Sequence, residues 1–197
     1  MKKLTFVLVA ILGCWSGWSE GLMAETVDSP FDPHLQYSAD LVSSNGQGIK
    51  MQELYSDGGK VRLETTADGA TTVTIVRPDL QKFYFVVMAK KVVVDVPYAP
   101  NEFKNQVLAA TGAHGTYQVV GPEATEGVSC IKYKGTAGDG ATYFVWVDAV
   151  TKAPVKLARV DGTFAVVWKN FKVGAQNAAL FEPPTDYQTI TPPAVGH

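Results

Sequence analysis

From Tyr37 to Phe171 the chain is broken at short intervals by glycine-bearing turn signals, and this punctuation limits the fold most. Asn45-Gly46, Asp57-Gly58-Gly59, Asp68-Gly69 and Asp161-Gly162 are sequences that suit tight hairpins. The runs between them are strand-like. Tyr37–Ser44 is a first strand, and Ile49, Met51 and Tyr55 share one face of a second. Val61, Leu63 and Thr65 alternate with Arg62 and Glu64, the pattern of a strand with one wet face. Thr72–Arg77 and Lys82–Met88 follow, and strands resume at Thr116–Val120, Val128–Lys134, Ala141–Asp148, Val155–Val160 and Phe164–Phe171. Such spacing predicts an antiparallel meander curled into a barrel or half-barrel. One helix is expected over Asn101–Ala110, with Pro97 and Pro100 before it, Asn101 as N-cap and Gly112 as terminator.

Two strands are apolar on both faces: Lys82–Met88, with Phe83, Tyr84, Phe85, Val86 and Val87, and Tyr143–Val147. An antiparallel sheet commonly leaves one face wet. Either something covers the second face or that face lines a cavity. The aromatic residues, among them Phe164, Trp168 and Phe171, fit both an ordinary core and a chamber for an apolar ligand.

The N-terminus limits where the protein works. Lys2 and Lys3 precede an apolar run from Leu4 to Gly13, too short to span a bilayer, which needs roughly 20 residues. This is the form of a secretory signal peptide, cut after Ala24. A rival cut lies at Ile11-Leu12-Gly13-Cys14, which resembles a lipobox and would leave an acylated Cys14 as a membrane anchor. The expected organisation is a leader over 1–24, a single β domain over 25–190 and a flexible tail over 191–197. Export places the protein in the periplasm. The whole chain has 17 basic and 19 acidic residues, so it lacks the basic face that nucleic acid requires. Once the leader is gone, Cys130 is the sole cysteine, and no internal disulfide can form. Its strand-like context marks it as a buried structural thiol.

Catalytic signals are missing. His34, His114 and His197 have no metal-ligand spacing. No Gly-x-Ser-x-Gly elbow, His-Glu-x-x-His helix or Walker loop occurs. Asp139, Asp148 and Asp161 lie in or beside turns, where aspartates bond their own backbone. The sequence therefore points to a protein that is not an enzyme and needs no cofactor or metal.

The stretch from about Tyr117 to Tyr187 resembles exported bacterial domains in the superfamily of the periplasmic lipoprotein carrier LolA. The matching elements are Val120-Gly121-Pro122-Glu123-Ala124-Thr125-Glu126-Gly127, Cys130-Ile131-Lys132-Tyr133, Val145-Trp146-Val147-Asp148 and Ala153-Pro154-Val155-Lys156. Leu180-Phe181-Glu182-Pro183-Pro184 through Tyr187 completes the set, and Gly59–Arg62 through Arg77-Pro78-Asp79 also fits. The resemblance implies a mainly β, curved antiparallel sheet forming an unclosed barrel with one short covering helix. It implies a non-enzymatic carrier or binding module for an acyl chain, a lipoprotein or another hydrophobic ligand. The alternative it allows is a structural or regulatory envelope protein that docks a protein segment without a lipid. The carrier uses an arginine in its cavity region; Arg62 stands in a comparable strand, but its surroundings depart from the carrier's and the role is not carried over. The expected cavity residues are Met51, Leu63, Phe83, Phe85, Trp146 and Trp168, in a monomer with no transmembrane segment after the leader.

Overall fold

A computed structural model describes residues 26–27, 29–32, 34–97, 116–136 and 140–192. The turn residues adopt the conformations their chemistry permits. Gly58 and Gly59 both take positive φ, at 56° and 87°. Asp68 with Gly69 and Glu126 with Gly127 do the same. Two successive positive φ values give the hairpin turn whose twist matches that of its flanking strands.

These turns separate β1 (Thr26–Val27), β2 (Tyr37–Asn45), β3 (Gly48–Asp57), β4 (Lys60–Ala67), β5 (Ala70–Arg77), β6 (Lys82–Val87) and β7 (Val92–Pro97). The later strands are β8 (Tyr117–Thr125), β9 (Val128–Thr136), β10 (Thr142–Asp148), β11 (Pro154–Arg159), β12 (Phe164–Val173) and β13 (Gln188–Ile190). All thirteen form one curved sheet, in the order β1-β8-β9-β10-β11-β12-β2-β3-β4-β5-β6-β7-β13, which does not close into a barrel. The pairing of β12 with β2, Trp168 opposite Leu41, joins the two meanders. Among the described residues every pair is antiparallel except β13 on β7. The mainly β, unclosed sheet expected from the sequence is thus present. The expected leader and the expected helix over 101–110 lie outside the described residues.

Alternation along the strands sorts the side chains onto two faces. Leu41, Leu54, Val61, Leu63, Val76, Phe83, Tyr133, Val145, Val147, Leu157, Val166 and Trp168 belong to one buried cluster on the inner face. The outer face of β5–β7 buries Val73, Ile75, Val86 and Val93 against Phe181. Phe181 sits in a short 3-10 turn, Ala178–Phe181, and is 1% exposed. Burial of such a side chain contributes about 1.5–3 kcal/mol. Arg62 Nη1 donates to the Leu180 carbonyl at 3.0 Å, and Arg77 Nη1 to the Phe181 carbonyl at 3.2 Å. Arg77 also pairs with Glu182 and Asp79. The C-terminal segment is therefore a strap across the outer face, and it ends as β13.

The strap answers the question raised by Lys82–Met88: its second apolar face is covered by protein. Tyr143–Val147 is solved differently. Val145 and Val147 face inward, while Phe144 and Trp146 face outward beneath lysine side chains. Lys132 Nζ lies 4.3 Å from the Phe144 ring centroid and 4.8 Å from that of Trp146, and Lys156 Nζ lies 5.2 Å from Trp146. The ammonium groups themselves lie over the rings as cation–π partners, and Lys132 Nζ also pairs with Glu123 at 3.0 Å.

Candidate functional site

A β-bulge in β12 builds the site. Up to Lys169 the strand keeps register with β2, Lys169 opposite Asp40; after the irregularity Lys172 stands opposite Ser38. Asn170, with φ 51°, is the residue at the break, and asparagine tolerates this left-handed conformation better than most residues. A bulge inserts one residue and re-aims those that follow. By simple alternation Phe171 would face away from Trp168. With the bulge both belong to the inner side: Trp168 is in the inner cluster, Phe171 packs against it, and the Phe171 ring stacks on Tyr37 at 4.5 Å.

The same stretch of β12 forms one wall of a groove of about 450 Å³. Val128 of β9 and Ala153, Pro154 and Val155 at the start of β11 form the other wall, with Trp168, Phe171 and Val173 opposite. The volume falls within the roughly 300–1,000 Å³ of small-molecule sites. Lys169 Nζ and Glu126 Oε2 meet across the mouth at 3.6 Å, with both side chains well exposed. Exposed pairs of this kind are worth about 0–1 kcal/mol, so the clasp opens easily. Asp148, also at the rim, accepts from the Val150 and Thr151 amides at 2.8 Å each. Those bonds, the Thr151 amide foremost, hold its carboxyl below the usual carboxylate range. It is a fixed anion that shapes the β10–β11 turn.

The expected cavity residues divide. Leu63, Phe83 and Trp168 lie in the inner cluster, and Phe85 packs against it with its ring 4.5 Å from Phe83. Met51 is 62% exposed and faces outward, three residues before inward-facing Leu54. Trp146 also faces outward, in a separate cluster with Cys130 and Val155. Of these candidates only Trp168 reaches the groove. The sequence does not mark Val155 and Val173 as site residues, and it shows Phe171 only as one of the aromatic residues that fit a core or a chamber. Phe171 was hidden by the bulge, and the positive-φ-tolerant Asn170 is the only signal that could have exposed it.

Arg62, half-buried between Glu64 and the strap, belongs to the outer face and cannot serve the inner one. Cys130 is buried, which pushes its thiol pKa up and disfavours the reactive thiolate. Among the described residues no three His, Cys, Asp or Glu side chains group as metal ligands. Among them, too, no helix is long and apolar enough to cross a membrane.

An unclosed antiparallel half-barrel with an apolar groove at its bulged strand defines a structural class rather than an activity. No family model matches the chain, and no curated protein does. Solved structures do share the fold. An uncharacterized conserved protein from Thermus thermophilus is 12% identical, with a TM-score of 0.60 over 81% of this chain and 91% of its own. The MucA/MucB complex of Pseudomonas aeruginosa contains a chain 14% identical with a TM-score of 0.50, of which this protein spans 59%. LolA superfamily proteins are also among the structural neighbours, one from Nitrosomonas europaea at 9% identity and a TM-score of 0.40.

Proposed function

We propose that this protein is a non-enzymatic binding module, exported to the periplasm, that holds an extended apolar chain in the groove beside Trp168. The acyl chain of a lipid or lipoprotein is the ligand class that the LolA resemblance implies. The observation that carries the reading is the groove itself: about 450 Å³, open to solvent, lined by Val128, Val155, Trp168, Phe171 and Val173, with the Lys169–Glu126 ion pair at its rim. Each methylene buried contributes about 0.8 kcal/mol. Eight of them give roughly 6 kcal/mol before ordering costs, so micromolar binding needs a longer buried chain or a polar contact for the head group. Lys169 stands where such a contact would form.

The test is titration of a fluorescent fatty-acid probe into the delipidated protein and into Val173→Asp. Val173 is 61% exposed, so the substitution leaves the fold intact while placing a charge in the groove. Saturable binding weakened about tenfold by Val173→Asp is the expected result. Equal binding by the two proteins contradicts the reading; no binding by either removes the acyl chain as the extended chain that fills the groove.

A further inference from the structure

The groove offers more than apolar surface. β12 pairs with β2 from Phe164 to Val173, but with β11 only from Ala165 to Val167. β11 begins at Pro154, whose nitrogen carries no hydrogen to donate, and its pairing with β12 starts only at Lys156. Among the described residues, no strand therefore pairs with 168–173 on the groove side. An unpaired strand edge is a row of N–H and C=O groups ready to receive another main chain. This open stretch runs from Trp168 to Val173 with the bulge at Asn170 in its middle.

We infer that the groove accepts an extended peptide segment of a partner protein, which adds to β12 along residues 168–173 as a further strand. This rests on the reading of the groove as the binding site and names the class of chain that fills it. Strand addition takes affinity from main-chain hydrogen bonds and specificity from every second side chain. The groove fits that division. It presents Val128, Phe171 and Val173 to apolar side chains over the buried Val155 and Trp168, and its rim presents Lys169 and Glu126, charges of both signs, to the residues between them. The complementary segment alternates apolar and charged residues. A hydrocarbon chain has neither main-chain groups nor alternating charges to offer. The bulge twists this edge, which disfavours edge-to-edge pairing with a second copy of the chain; a single flexible segment follows the twist.

The experiment selects displayed random ten-residue peptides on the whole protein and then measures synthetic hits by calorimetry. The inference expects alternating apolar and charged hits, weakened about tenfold or more by N-methylation of alternate amides. It expects the same loss with Val173→Asp, and no loss with Ile49→Asp, an exposed position on the β2–β3 hairpin. Hits that bind equally well when N-methylated, or equally well to Val173→Asp, overturn it. Saturable binding of dodecanoate with no peptide enriched also overturns it, and leaves the broader reading standing. Binding of neither removes both.

Discussion

Gly135 lies opposite Tyr117 across β8 and β9, and the phenol ring occupies the space a side chain would take. A Cβ built there meets ring carbons at 2.4 and 2.5 Å, distances that force backbone or ring to move. Gly135→Ala is expected to cost about 1–3 kcal/mol by overpacking, read as a shift in urea midpoint. Unchanged stability would mean that the ring is free to leave. Glu123 supports a second residue-scale prediction. Its carboxylate accepts from Lys132 Nζ at 3.0 Å and from Trp146 Nε1 at 2.8 Å. The lysine bond first, and the indole bond second, hold its pKa below the ordinary carboxylate range. A depressed folded-state pKa gives a contribution that is complete above the unfolded value, about 4.3, and is lost as pH falls through the folded one. Trp146 emission should change on acidification over that interval, and Glu123→Gln should remove the change. A transition of the same size in the variant would assign it to another group.

At the scale of elements, the strap and the bulge carry the account. Phe181→Ala empties the pocket formed by Val73, Ile75, Val86 and Val93; a loss of about 3–5 kcal/mol is expected in denaturant unfolding, with β13 released from β7. A loss below about 1 kcal/mol would show that the strap does not cover this face. Asn170→Val puts a β-branched residue at φ 51° and should cost about 1–3 kcal/mol. Asn170→Gly, free to adopt that angle, should keep both stability and the groove. Equal effects of the two would remove the conformational argument. The sequence revealed these elements unevenly. Hairpin strands were legible because glycine or asparagine marks their turns. β7 was not, because the turn before it uses Lys91 in the left-handed conformation, where no glycine announces it. The strap carries no strand or turn signal in the sequence because its short turn rests on contacts with Arg62 and Arg77 and its three-residue strand on pairing with β7. Trp146 lies outward and its neighbours Val145 and Val147 inward, a choice of side that period-two reasoning cannot make when both faces are apolar.

For the whole molecule, much of the surplus of apolar surface in the sequence is covered by protein: the strap over β5–β7 and two lysine side chains over Trp146. Apolar surface left to face solvent includes Ile49 and Met51 on β3 and Val150 in the β10–β11 turn, and also Val173, where β12 parts from β11 and the bulge turns Phe171 inward. The central claim is that an extended chain binds at this opening. The direct measurement is a titration of the isotope-labelled protein with dodecanoate and with an alternating peptide, followed by backbone amide shifts. The account predicts that at least one ligand gives saturable shifts centred on Val128, Val155 and residues 168–173, with Leu63, Phe83 and the strap unmoved. Shifts centred on Leu63 and Phe83, or no saturable shift with either ligand, would contradict it.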